Sequence, residues 1–415
     1  MGNTKKLAGA LFRYISLTVF GLFILPVLYI LEPFLRVRIG LMHTQRIGHL
    51  AANTEMFFRK LQINGKPPRT VYYLFGWDPA NRQLFDMFLR LRLKGANFRE
   101  SQWGTRFVSS WLPLLKKTRF WFPNRITAAE FHEYAHSKSV VRFTDDEDRK
   151  GLDGLAEMGI GPDDWFVCFH ARDASYLRSW RPQHTEYWQK IGIDRQNCSI
   201  ESYLKAADEI TSRGGFAIRM GAVVEAPLPD TGNPRIIDYA TKHRSDFMDI
   251  YLCSRCRFYL GSPSGIIHVP ILFDRPVALA NHLVFNHVPP HPNDLMIPRF
   301  LTTPDGERTV SFQEAQDQGF HMWSKRGQVT FGGQNMDLFE WRENDPDDIL
   351  GVCQDMLDNL DGIEPPAEAK RLQTEYGRRY LNHMPGYELG GNVGARFALK
   401  HKHLIVPDEV SDIAV

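Results

Sequence analysis

The feature that most constrains this chain is a rhythm, heard twice. Short apolar runs of strand character alternate with longer stretches whose Leu, Phe and Met recur at helical spacing. The first series reads as a strand at Arg36–Met42, a helix from about His49 to Leu61, a strand at Thr70–Phe75 and a helix over Asn81–Leu93. The second follows the break at Gly161-Pro162. It reads as a strand at Trp165–Phe169, a helix from Ser199 to Ser212, and strands at Phe216–Met220 and Arg235–Asp238. A helix from Asp246, a strand at Arg257–Leu260, a helix from Ser264 and a strand at Pro276–Ala280 complete it. Strand–helix–strand alternation is the mark of a parallel sheet with helical crossovers, so the expected class is α/β. A length of 415 residues with 43% hydrophobic and 24% charged residues supplies two cores. The expected division is an anchor over 1–35, α/β domains over 36–160 and 161–345, and a helical C-terminal segment over 346–415. Residues 96–145 and 282–343 give no clear rhythm.

The N-terminus departs from the globular pattern. From Ile15 to Leu31 the chain carries no charge, with Lys5, Lys6 and Arg13 before it and Arg36 and Arg38 after it. A run of 17 residues is at the short end for a membrane span. Pro26 is expected to kink it, and no small-residue cleavage site follows. Basic residues on both sides leave orientation open. The readings are a span, an interfacial helix or hairpin, and a helix of the fold.

Net charge is +2, so nothing in the overall balance points to nucleic acid. Five cysteines in so long a chain imply no disulfide framework. Cys253 and Cys256 have CxxC spacing, but no second pair of ligands lies nearby in sequence. Buried thiols are the simpler assignment, and no bound metal or cofactor is expected.

In open α/β sheets, ligands sit beyond the carboxyl ends of the strands. The candidates are therefore the polar residues just past each expected strand. His170, Arg172 and Asp173 follow the Trp165–Phe169 strand directly. Arginine matches phosphate oxygens in a bidentate fork, and Asp173 or His170 can take a proton. The competing assignment is an Arg–Asp pair bracing the loop. Arg219 and Gly221 end the next strand, where an arginine can pair with an anion and a glycine admits close approach of the backbone. Gly261-Ser-Pro-Ser-Gly265 is expected to open a helix; Ser262, Ser264 and Gly265 would offer hydroxyls and free N–H groups to phosphate, or simply cap the helix. Tyr239 can stack on a base, and Arg244, Ser245 and Asp246 can cap the helix that follows. In the first series Arg46, Gly48 and His49 occupy the first strand-to-helix turn, and Asn81 and Arg82 open the second helix. Trp77 and Trp103 can stack on a sugar face, although buried tryptophan is commoner.

With these residues placed, FVCFHARDASYL, YLKAADEITSRGGFAIRMG and IIDYATKHRSDFMDIYLCSRCRFYLGSPSG resemble a family of bacterial GT-B glycosyltransferases that occur with surface-polysaccharide genes. The resemblance covers roughly residues 36–290 and is strongest between 165 and 281; the turn at 46–49 and the stretch at 79–84 fit it too. More distantly the chain resembles GT-B fucosyltransferases and heptosyltransferases. The resemblance implies two facing Rossmann-like domains with an N-terminal membrane-associated helix. It implies transfer of a sugar from a nucleotide-sugar donor to a cell-surface glycan or lipid-linked acceptor, without a metal. By position it assigns Arg172 to the donor diphosphate; placement at strand and helix ends puts Arg219, Gly221, Tyr239, Arg244, Ser262, Ser264 and Gly265 around the donor. Arg46, Gly48 and Asn81 fall to the acceptor side, and Asp173, His49 or His170 to proton transfer. Where the fucosyltransferases carry two consecutive arginines, this chain has one followed by Asp173, so donor identity does not carry over. The expected location is the cytoplasmic face of a bacterial inner membrane. Two other readings fit the same pattern: an epimerase of nucleotide sugars with a GT-B-like fold, and a non-catalytic scaffold in polysaccharide assembly.

Overall fold

The computed structural model describes residues 2–91, 95–127, 129–180, 182–184, 186, 193–323, 329–334 and 338–407. The chain falls into two units, Met1–Ile126 with Ser139–Phe143, and Thr127–Lys138 with Thr144–Val415.

The first unit starts with one long apolar helix. Helix α1 (Gly2–Val19) passes through a π-helical segment (Phe20–Ile24) into α2 (Leu25–Leu31). Pro26 has no N–H to give, and the widened turn just before it accommodates this: the Leu25 N–H reaches Phe20 O, five residues back. The sheet that follows is parallel, in the order β1 (Arg36–Leu41), β2 (Thr70–Gly76), β3 (Ala96–Glu100). Helices α3 (Ile47–Asn64), α4 (Arg82–Arg90) and α5 (Gln102–Leu115) connect and cover it.

The period of two along β1 divides its side chains between two faces. Val37 and Ile39 join a cluster with Phe20, Leu28, Val108, Leu115 and Phe120, between the apolar helix, α5 and the sheet. On the α3 side, Phe57 meets Tyr72, Phe98 and Phe122 edge-on at 5.1, 5.7 and 5.3 Å. The apolar helix is docked on α5 by named contacts. Ser16 Oγ lies 2.6 Å from Ser110 Oγ, Trp111 Nε1 donates to Ser16 Oγ at 3.0 Å, and Phe20 stacks on Trp111 at 4.7 Å. Farther along, Tyr29 meets Phe120 edge-on at 4.8 Å. The opposite side, with Leu11, Ile15, Leu22, Phe23 and Ile30, is exposed. The stretch Leu7–Leu31 is long and apolar enough to cross a membrane; its most apolar 18-residue window has a mean hydropathy of 2.2 and is 17% buried.

The second unit contains β4 (Phe166–His170), β5 (Phe216–Arg219), β6 (Ile236–Ile237), β7 (Tyr259–Gly261), β8 (Val277–His282) and β9 (Leu295–Pro298). Residues 300–342 hold β10 (Phe300–Thr302), β11 (Thr309–Val310) and β14 (Glu340–Arg342) in one antiparallel sheet. A separate ribbon pairs β12 (His321–Trp323) with β13 (Val329–Gln334). Strand β15 (Asn392–Val393) returns to the main sheet, whose order is β15-β9-β8-β7-β4-β5-β6, all parallel. Numbered along this unit, its first six strands lie 3-2-1-4-5-6, the doubly wound order that reverses between the first and fourth strands. Strands β5, β7 and β8 are buried throughout, as continuous apolar runs between helical layers must be.

The division falls earlier than the expected break at 160/161. Helix Asp145–Glu157, started by a Thr144/Glu147 capping box, belongs to the second unit because its glycines accept that unit's side chains. A Cβ on Gly151 would lie 2.1 Å from the Tyr251 ring, and one on Gly154 would lie 2.6 Å from Met248 Sδ. The C-terminal segment is not separate either. Helix Pro346–Leu360 packs on helix Leu204–Ser212, Arg396 pairs with Asp355 at 2.6 Å, and β15 extends the sheet. Residues 1–35 likewise fold as part of the first unit.

Candidate functional site

The reversal point of the second sheet lies between β4 and β7, and the loops leaving these two strands are joined. The Arg172 N–H donates to Ser262 Oγ at 2.9 Å, and the Ser262 N–H donates to His170 O at 3.1 Å. Gly261 is required by this closeness, since a Cβ there would stand 2.6 Å from His170 O. Arg172 is half-buried in its loop, whose carbonyl accepts from the Cys198 N–H at 2.9 Å. His170 Nδ1 lies 3.0 Å from the Met220 carbonyl, so Nδ1 carries the proton and Nε2 the lone pair. Burial pushes the His170 pKa down to about 4, and the charges of Arg219 and Arg172 add to this. The ring is therefore neutral at pH 7, as a proton acceptor must be.

Ser264 stands at the start of the next turn with a buried Oγ beside the Tyr259 hydroxyl. The helix expected from Ser264 is shorter than its sequence implies. A 3₁₀ turn, Gly265–Ile267, leads into a five-residue helix, His268–Leu272. A dipole summed over so few peptides is weak, so the anion-holding part of this loop is its backbone and hydroxyls. Gly265 is exposed.

Several expected site residues have structural duties instead. Arg219 is buried and does not reach for a ligand: Nη1 donates to Asp238 Oδ1 at 3.0 Å and Nη2 to Ala226 O at 3.0 Å. Asp238 also accepts from the Leu228 N–H at 3.0 Å and from Thr241 Oγ1 at 2.6 Å, so the pair staples the 221–228 loop. Gly221 serves that loop, because a Cβ there would strike Val224 Cγ1 at 2.4 Å. Tyr239 is fully buried and cannot stack on a base; its hydroxyl lies 2.9 Å from Asp249 Oδ1. Arg244 donates to Asp249 Oδ2 at 2.9 Å and to Asp246 Oδ1 at 2.7 Å, which fixes the start of helix Asp246–Arg255. Asp173 gives both oxygens to backbone N–H groups, Oδ1 to Ser175 at 2.8 Å and Oδ2 to Glu225 at 2.9 Å, the geometry of a loop brace.

In the first unit, Arg46 precedes α3, Gly48 is buried in its first turn, and His49 is exposed with its pKa lowered by desolvation and by the Arg46 charge. His43 stands 6.0 Å from His49, ring to ring. Asn81 is a helix cap, its Oδ1 accepting from the Leu84 N–H at 2.9 Å. Arg82 is paired with Asp86 and Glu100 at 2.5 and 2.8 Å. Trp77 and Trp103 are both exposed, Trp103 on α5 beside Phe12. Among the described residues no group of His, Cys, Asp and Glu could hold a metal ion. Cys253 and Cys256 are buried free thiols.

A further feature stands one residue past the expected strand Pro276–Ala280, at the end of β8. Asn281 is fully buried with φ +56°, a strained conformation for a side chain. It exchanges two hydrogen bonds with Asn344, at 2.6 and 2.8 Å. His282 beside it is held near pKa 4 by burial and stacks on His287 at 5.5 Å. Its only signal in sequence is a polar Asn-His pair ending an apolar run.

No family model matches the sequence, and no curated protein does. Among solved structures the chain is similar to the E. coli ADP-heptose LPS heptosyltransferase II, at 11% identity and a TM-score of 0.35, over 59% of this chain and 84% of that one. It is similar to a family 9 glycosyl transferase from Veillonella parvula at 8% identity and a TM-score of 0.34, over 59% and 80%. The E. coli heptosyltransferase WaaC, solved with ADP, matches at 8% identity and a TM-score of 0.32, over 68% and 96%.

Proposed function

We propose that this chain is a membrane-associated GT-B-type glycosyltransferase whose second unit binds the nucleotide-sugar donor. The observation that carries the reading is the placement of the His170–Arg172 loop. It leaves β4 at the one point where the 3-2-1-4-5-6 sheet reverses, tied to the Gly261–Gly265 loop leaving β7. Crevices at such points are where open α/β sheets hold nucleotides. Arg172 is the diphosphate-binding residue in this reading, with Ser264 and the backbone of Gly265 beside it. In the transfer, an acceptor hydroxyl oxygen bonds to the anomeric carbon and the bond from that carbon to the diphosphate breaks. The diphosphate leaves with the electron pair, its charge offset by Arg172. The hydroxyl proton goes to a neutral imidazole, His170 Nε2. No metal is called for, and the acceptor is a surface glycan or a lipid-linked one. The first unit supplies the membrane contact, at the cytoplasmic face of a bacterial inner membrane. Docking of the apolar helix on α5 at Ser16 and on Phe120 at Tyr29 favours a helix lying in the interface over one that spans.

Thermal unfolding with a panel of nucleoside diphosphates tests this. One nucleotide should raise the melting temperature by roughly 5–10 °C at a hundredfold excess over its Kd, and Arg172→Ala should abolish the rise. A flat response to every nucleotide would sink the reading.

A further inference from the structure

The apolar helix of the first unit ends in a pocket that the proposed reaction does not use. Tyr29, Glu32, Pro33, Arg36, Arg38 and Arg119 line a cavity of about 740 Å³. It lies at the amino end of β1, whereas substrates of parallel sheets gather beyond the carboxyl ends. Three guanidinium groups there face one carboxylate. Arg38 holds Glu32 in a fork, at 3.0 and 3.2 Å, and Arg119 stands over the Tyr29 ring at 5.9 Å. Arg36 and Arg119 are exposed, so the pocket keeps a net positive charge toward its surroundings.

The neighbours of this charge are hydrocarbon. Ile30, Leu31, Phe34 and Leu35 are exposed on either side of the pocket residues in sequence. A second crevice, about 340 Å³, opens between the apolar helix, α5 and the sheet, lined by apolar residues including Ile24, Val37, Phe107 and Trp111. Arginines beside an uncovered apolar surface are what the boundary between acyl chains and headgroups requires. The guanidinium fork matches phosphate oxygens, and clustered basic residues favour anionic leaflets.

We infer that the Arg36/Arg38/Arg119 pocket binds the phosphate of an anionic phospholipid headgroup, with the exposed face of α1–α2 and the Trp103–Phe107 side of α5 sunk in the acyl layer. This rests on the reading of the first unit as membrane-associated, and it makes that association selective for lipid charge. Glu32 holds Arg38 in place while Arg36 and Arg119 meet the headgroup.

Flotation of the full chain with vesicles tests it, using phosphatidylcholine alone and phosphatidylcholine containing phosphatidylglycerol. Wild type should bind the phosphatidylglycerol vesicles more tightly. The Arg36→Gln/Arg119→Gln double variant should lose about 25-fold there, roughly fivefold per charge removed, and nothing on phosphatidylcholine. Its circular dichroism melt should match wild type, since both side chains are exposed. Inorganic phosphate at matched ionic strength should leave binding intact; displacement by it would make a soluble phosphate the ligand and overturn the lipid assignment. Equal binding of wild type to both vesicle types, or a double variant indistinguishable from wild type, would also overturn it while leaving membrane association standing. Failure to float with either vesicle would remove the membrane reading itself.

Discussion

Two helices of this molecule carry large apolar side chains and live differently. Helix Asp246–Arg255 of the second unit carries Phe247, Ile250, Tyr251 and Leu252 and buries all of them. The α1–α2 helix of the first unit buries only the strip facing α5 and the sheet and leaves half of its leucines and phenylalanines exposed. The first helix is enclosed on almost every side, while the second is covered on one side and has an uncovered flank. Apolarity states that a surface leaves water; the fold decides whether protein or something else receives it.

Denaturation should separate these cases most sharply. Leu252→Asp places a charge where no solvent reaches, and should cost on the order of 4 kcal/mol or more. Leu22→Asp, on an exposed flank, should cost within about 0.5 kcal/mol in a urea titration while weakening vesicle binding. Similar losses from both would break the comparison.

Ion pairs sharpen it further. Arg219→Ala leaves the Asp238 carboxylate buried without its cation in the second unit, an expected loss of about 3–5 kcal/mol. Arg82→Ala in the first unit, where the pairs with Asp86 and Glu100 face solvent, should cost less than about 1 kcal/mol.

A pH series is the next step down in size. The folded state holds His282 near pKa 4, below the ordinary 6.5 of an unfolded chain, so folding favours the neutral ring. That stability is complete above pH 6.5 and is lost as pH falls toward 4. The stability gap between wild type and His282→Asn should narrow by about 1.4 kcal/mol per pH unit across that window. The same series on a His49 variant of the first unit should show a shallower slope. Equal slopes would mean that the two rings are equally removed from water.

The smallest effect concerns the docking of the long helix. Ser16→Ala removes the partner of Ser110 and Trp111 and should cost about 0.5–1.5 kcal/mol in the first unit's melt. No change at all would mean that the helix is not held against α5 in solution.

Much of this was legible in the chain. The strands β2, β4, β5, β7 and β8 announce themselves as apolar runs closed by glycine or a polar residue, and β1 by the alternation of Arg36 and Arg38 with Val37 and Ile39. The cap at Ser245, whose Oγ accepts from the Met248 N–H at 3.2 Å, follows from local chemistry alone. What sequence hid was commitment to distant partners. Arg219 reads as a ligand residue because its carboxylate, Asp238, arrives 19 residues later. Tyr239 reads as a stacking ring because nothing local tells that Asp249 and Ser245 enclose its hydroxyl. Helix Asp145–Glu157 falls before the expected break at 160/161, and what ties it to the second unit is distant in sequence: Gly151 and Gly154 shaped to Tyr251 and Met248, and Asp148 paired with Arg255. The α5 stretch was unreadable because its aromatic residues face two ways, Trp111 toward Ser16 and Trp103 outward.

The widened turn at Phe20–Ile24 sets a phase. Each residue of a regular helix advances its neighbours by about 100°, so a turn with one extra residue re-indexes everything after it. Closing this turn into a regular α-helix, with every residue kept, would leave composition and length untouched. It would nevertheless rotate the last third of the helix, swinging Leu28 off the cluster it shares with Val37 and Phe120. The arginine pocket behind Tyr29 would lose its alignment with the apolar flank, and a chain of nearly identical hydropathy would present a different face to whatever it lies upon.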